Sequence, residues 1–164
     1  MFYLGKTSKR RIKGVSEYLV IALSEVLKLS PIDVTIPWMG GVRTAGEQNE
    51  IFSRGASQRD GYEKKSYHQS GGAVDIAPYV DGEISNTKEH ALIVAYYMIL
   101  SFELLKKEKK IPKDIYLHCG IFWGDKDLDN DGFLTEQDKI GWDARHFELR
   151  PYPQENTFEI KLSA

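Results

Sequence analysis

At 164 residues the chain is long enough to bury one core, and its length suits a single domain. Hydrophobic residues at 41% and charged residues at 28% describe an ordinary soluble globular protein, and a net charge of −2 excludes a general attraction to nucleic acid or membrane. A single cysteine, Cys119, excludes an intrachain disulfide and reads as a small buried hydrophobe.

Near the start, Lys6, Lys9, Arg10, Arg11 and Lys13 cluster. They read as a solvated basic face, with contact to an anionic wall or lipid surface as the other reading. Val15, Leu19, Ala22, Leu23, Val26 and Leu27 recur at helical spacing, and Ser30-Pro31 ends that helix. Ser16, Glu17, Ser24, Glu25 and Lys28 interrupt the same stretch, which suits neither a signal segment nor a membrane span. The expectation is a product made in the cytoplasm without a signal peptide and with no stable membrane insertion. Val34-Thr35-Ile36 suits a short strand, and Thr44-Ala45-Gly46-Glu47 has the capping-box pattern of a helix running to about Arg54. Gly55 to Ser66 reads as a loop, and Ala73 to Val80 as one strand with Ala73, Asp75 and Ala77 on one face. Asn86 with Glu89 suits the cap of a long helix with the stripe Leu92, Ala95, Ile99 and Phe102, ending at Lys106 to Lys110. Ile115 to Trp123 and His146 to Leu149 supply further strands. Helices and short strands mix without βαβ alternation, which predicts an α+β fold with a small, mostly antiparallel sheet and flanking helices.

Two distant segments carry the chemistry. Ser66 to Asp75 offers His68 and Asp75, separated by Gly71 and Gly72, which permit the tight turn needed for both to converge. Trp142 to Leu149 offers His146, with Asp143 one helical turn before it. Two imidazoles and one carboxylate suit a zinc site with an open position, and the remaining acid can act on water there. His90 reads as a surface residue. His118 beside Cys119 reads as structural, since neighbours on a strand point to opposite faces.

Ser66, His68, Gly71, Ala73 and Asp75 match the S-x-H-x-x-G-x-A-x-D signature, and Asp143-x-x-His146 the second signature, of the LAS metallopeptidases. That family includes D-alanyl-D-alanine carboxypeptidases and dipeptidases. Within it the chain most resembles the small phage endolysins that are L-alanyl-D-glutamate peptidases, through its length, its Gly41-x-Arg43-Thr44 element and an aspartate where many relatives carry a glutamate base. The similarity runs over about 29–149, inside one peptidase domain of 1–164 whose end, 150–164, reads as a loose tail. The resemblance implies that His68, Asp75 and His146 bind Zn²⁺ and that Asp143 is the general base. It implies that Arg43 steadies an oxyanion or a substrate carboxylate, a surface salt bridge being the plainer alternative. Ser66 is a substrate or supporting contact, or simply a turn residue. The implied substrate is the peptidoglycan stem peptide, cut by a monomer that reaches the cell wall after the membrane is breached. A D-alanyl-D-alanine peptidase is the nearer rival, and a non-catalytic, calcium-dependent wall-binding module the more remote one.

A second metal is also expected. Asp127, Asp129 and Asp131 fall at the first, third and fifth positions of an EF-hand calcium loop, Gly132 at the turn, Phe133 at the backbone-carbonyl position and Asp138 at the close. Asp in place of Glu at the close shortens the reach to Ca²⁺. Because the loop ends just before Asp143, ordering it by calcium is expected to gate the site.

Overall fold

The structure is a computed structural model that describes residues 1–123 and 143–153. The calcium-loop residues Asp127, Asp129, Asp131, Phe133 and Asp138 lie outside the described residues, as do residues 154–164.

The helices are α1 (Lys6–Arg11), α2 (Glu17–Leu29), α3 (Ala45–Ser53) and α4 (Lys88–Lys107). The strands are β1 (Asp33–Thr35), β2 (Ala73–Asp75), β3 (Ala77–Val80), β4 (Glu83–Ile84), β5 (Tyr116–Cys119) and β6 (His146–Arg150). The fold is α+β. On α2, Leu19, Ala22, Leu23, Val26 and Leu27 turn one face inward against α4, where Ala91, Val94, Ala95, Met98, Phe102 and Leu105 are buried. Burying one such side chain contributes roughly 1.5–3 kcal/mol, and this helix pair joins Val34, Ile36, Val74, Ile76 and Phe147 in one core.

Two antiparallel sheets, ordered β1-β3-β4 and β2-β6-β5, replace the expected single one. The strand expected over Ala73 to Val80 is split at Ile76, whose N–H still donates to the Arg145 carbonyl (2.8 Å) in the β2–β6 register, before Ala77–Val80 pairs instead with β1 and β4. The chain therefore changes sheets there, and Ala77 does not share a sheet face with Asp75. The cap of α4 is Thr87, one residue later than expected: its hydroxyl accepts from the His90 N–H, while the Asn86 side chain accepts from Arg145. The basic start is a short helix. Ser8 on α1 bonds Thr35, and Arg11 donates to the Ile36 carbonyl (2.7 Å), tying the helix to β1. Lys9, Arg10 and Arg11 fall in its last turn, where cations complement the helix dipole.

Strand β6 divides its residues between two tasks. Successive side chains alternate in face. Phe147 goes fully into the core, whereas His146, Glu148 and Arg150 line the cleft described next.

Candidate active site

His68 stands on a 3-10 turn, Tyr67–Ser70, built by a capping box in which the Ser66 hydroxyl accepts from the His68 N–H and Gln69 reaches back to Ser66. Gly71 closes the turn at φ 75°, where a side chain would also run into the Gly14 carbonyl. The chain can then reverse into β2, which carries Asp75. Asp75 pairs directly with His146 in the β2–β6 ladder, and opposite residues of an antiparallel pair share a face. Asp143 reaches the same place by a turn: the His146 N–H donates to the Asp143 carbonyl (3.0 Å).

The three donor atoms form a nearly equilateral triangle. His68 Nε2 lies 3.1 Å from His146 Nδ1 and 3.2 Å from Asp75 Oδ1, and His146 Nδ1 lies 3.1 Å from Asp75 Oδ1. A tetrahedral zinc ion about 2.0 Å from each ligand spaces those ligands about 3.3 Å apart. The outer nitrogens settle which ring atoms face inward. His68 Nδ1 donates to the Gly41 carbonyl (2.8 Å), and His146 Nε2 donates to Glu148 Oε2 (3.1 Å). His68 Nε2 and His146 Nδ1 are thereby aimed at the same point as a carboxylate oxygen. Such a set is suited to a cation, and His68, Asp75 and His146 are the cluster of potential metal ligands among the described residues.

The electrostatics agree. Burial alone would raise the Asp75 pKa, but His68, His146 and Arg43 hold it far below the usual carboxylate range. Burial would lower that of His146, yet Asp75 at one nitrogen and Glu148 at the other push it up to about 9. This ring sits between two carboxylates, where positive charge is favoured. Glu148 is buried, and His146 and Arg150 hold it below its ordinary range against the cost of burial. Asp143 lies 4.0 Å from His146 Nδ1 with a side chain 33% exposed, so it reaches both the cluster and the cleft. Burial, then repulsion from Asp75, push its pKa above the usual carboxylate range.

Arg43 is engaged already. Its guanidinium donates to the Met39 carbonyl (2.6 Å), Gln48 Oε1 (3.1 Å) and Asp75 Oδ2 (2.5 Å). The structure thus places it as a clamp on the second oxygen of Asp75. Ser66 lines the cleft while capping the turn beneath His68. The structure also gathers residues that sequence reasoning did not assign: Gln48, Glu148, Arg150 and Trp123, the last with its ring 4.9 Å from that of His146. Glu148 was signalled by its spacing two residues after His146 on a strand; Gln48 carried no such signal. Away from the cleft, His118 Nε2 bonds the Tyr152 carbonyl (2.8 Å), a structural contact, and burial raises the Cys119 thiol pKa far above its ordinary value. A thiol so poised is no nucleophile. His90, half-buried, bonds the Ser85 hydroxyl (2.7 Å).

Residues 1–150 match the family model described as phage L-alanyl-D-glutamate peptidase. The chain belongs to that family. One relative, the L-alanyl-D-glutamate peptidase of Escherichia phage T5, is 36% identical over 84 residues, a segment spanning 51% of this chain and 58% of the relative. The crystal structure of Serratia marcescens L-Ala D-Glu endopeptidase ChiX superposes with a TM-score of 0.61 over 90% of each chain, at 23% identity, and shows that the fold is shared. Among the described residues, no helix is long and apolar enough to cross a membrane.

Proposed function

We propose that this family member is a zinc-dependent endolysin peptidase that hydrolyses the L-alanyl-D-glutamate bond of peptidoglycan stem peptides. The observation that carries the reading is the convergence of His68 Nε2, Asp75 Oδ1 and His146 Nδ1 within 3.2 Å of one another, with Asp143 at the rim. His68, Asp75 and His146 would hold Zn²⁺, and when bound zinc supplies Lewis-acid polarisation of the scissile carbonyl and acidifies water. Asp143 takes the proton from the attacking water and passes it to the departing amine, so the C–N bond breaks to a carboxylate and a free amino group. Arg43 and Glu148 act behind the donors: one holds Asp75, the other fixes the tautomer and tilt of His146. Ser66 keeps His68 in place from below.

Digestion of purified sacculi, with zinc measured in the same preparation and fragments identified by mass, tests the reading. New N-terminal glutamate with about one zinc per chain is the expected result; released D-alanine would instead favour the D-alanyl-D-alanine rival. Calcium dependence rests on the donor spacing of Asp127 to Asp138 alone. Lysis is expected to fall with a calcium-selective chelator and return with Ca²⁺. Equal lysis by an Asp129→Ala, Asp131→Ala variant with and without calcium would remove that part. The working form is proposed to be a monomer of one domain, acting on the wall after the membrane is breached.

A further inference from the structure

The arginines lining the cleft are not equivalent. Arg43 is committed to Met39, Gln48 and Asp75, Arg145 to the Ser85 carbonyl and Asn86, and Arg150 to Glu148 and the Tyr152 hydroxyl. Arg59 shares the cleft with the metal cluster and Asp143, yet among the described residues its guanidinium has no hydrogen-bond or ion-pair partner.

Its main chain, by contrast, is pinned. The Arg59 carbonyl accepts from Gln48 Nε2 (2.9 Å), and its N–H donates to the Ser57 hydroxyl (3.0 Å). Gln48 is fully buried and also accepts from Arg43, so one amide joins the clamp on Asp75 to the loop that carries Arg59. The neighbouring acid does not neutralise Arg59, because Asp60 Oδ1 accepts the N–H groups of Tyr62 (2.8 Å) and Lys64 (2.9 Å). The loop therefore presents an exposed cation, uncommitted among the described residues, from a fixed backbone into the cleft that also holds His68, Asp75 and His146.

We propose that Arg59 is the specificity-determining residue that pairs with the free carboxylate of the D-glutamyl residue. The inference rests on the L-alanyl-D-glutamate reading above. A glutamate linked through its amine and one carboxyl keeps the other carboxyl free, a few bonds from the nitrogen that departs. Guanidinium and carboxylate match as a two-pronged fork, and within a cleft their attraction is screened less than on open surface. The cleft, of about 500 Å³, has the size of sites that enclose small ligands.

The test uses two synthetic stem peptides that differ only at that carboxyl, free in one and a primary amide in the other. The wild-type kcat/KM is expected to favour the acid by about 10- to 100-fold, mostly through KM, the worth of one charge-assisted hydrogen-bonded pair. In Arg59→Gln that ratio falls to about 1, and Arg59→Lys retains part of it. Zinc content and the melting curve of each variant report whether its fold is intact; if either variant fails to fold, the wild-type ratio decides alone. A wild-type ratio near 1, or an Arg59→Gln ratio equal to that of the wild type, overturns the assignment. Should the wild type leave the L-alanyl-D-glutamate bond uncut in both peptides, the parent reading falls and this one with it.

Discussion

The two walls of the cleft are built differently. One is regular structure: β2, β6 and the 3-10 turn at Tyr67–Ser70, with His68, His146 and Asp75 held from behind by Gly41, Glu148 and Arg43 respectively. The other is the loop from Gly55 to Ser66, held by the side-chain amides of Gln48, Asn49 and Gln69 through its main chain. Chemistry demands fixed distances, and strands supply them; recognition tolerates, and profits from, a segment whose side chains can vary over a constrained backbone. Mutations in the two walls are therefore expected to show up in different quantities.

The largest expected effect is on the strand wall. Asp143→Asn should lower kcat by about 10²- to 10⁴-fold, with zinc content unchanged. A variant with normal turnover would remove the acid from the mechanism. Gly120→Ala probes the same wall without touching a reacting group. A Cβ there would run into the Asp143 carbonyl and crowd His146, so the turn must shift. A displacement near 1 Å costs roughly 10²-fold in rate, measurable as kcat on a soluble stem peptide. Glu148→Gln should weaken zinc binding by about 10- to 100-fold in a chelator competition, because the amide holds the His146 ring less firmly than the carboxylate does. Unchanged affinity would reduce Glu148 to a packing residue. The loop wall should respond more mildly and in another quantity. Gln48→Leu removes the partner of the Arg59 carbonyl, of the Ser57 hydroxyl and of one donor of Arg43, costing about 1–3 kcal/mol of stability by thermal or urea melting. KM should rise in that variant more than kcat falls, and the reverse pattern would show that the loop acts on chemistry after all.

Much of the strand wall was legible in the sequence, because its chemistry needs particular residue types at particular intervals. His68, Asp75, Asp143 and His146 stand out for that reason, and the structure brings all of them together. The capping box at Thr44 was legible on the same principle, and its reciprocal bonds with Glu47 are present. What could not be read depends on contacts between distant segments. The split at Ile76 arises because β2 pairs with β6 while β3 pairs with β1 and β4, and nothing in the alternation of Ala73 to Val80 announces it. The cap of α4 moved to Thr87 because Arg145 takes Asn86, again a tertiary preference overriding a local one. Gln48 and Arg59 sit in a helix and a loop with no periodic signature. Only the fold reveals that one is buried and that the other, among the described residues, is unpaired.

The alternation along β6 has a further consequence. Phe147 is rooted in the hydrophobic interior, and its immediate neighbours His146 and Glu148 line the cleft. A change in how that ring seats is transmitted to the imidazole one peptide unit away. Selection on this short stretch must therefore satisfy durability and turnover together, whereas the α2–α4 interface is free to drift with its side-chain volumes alone.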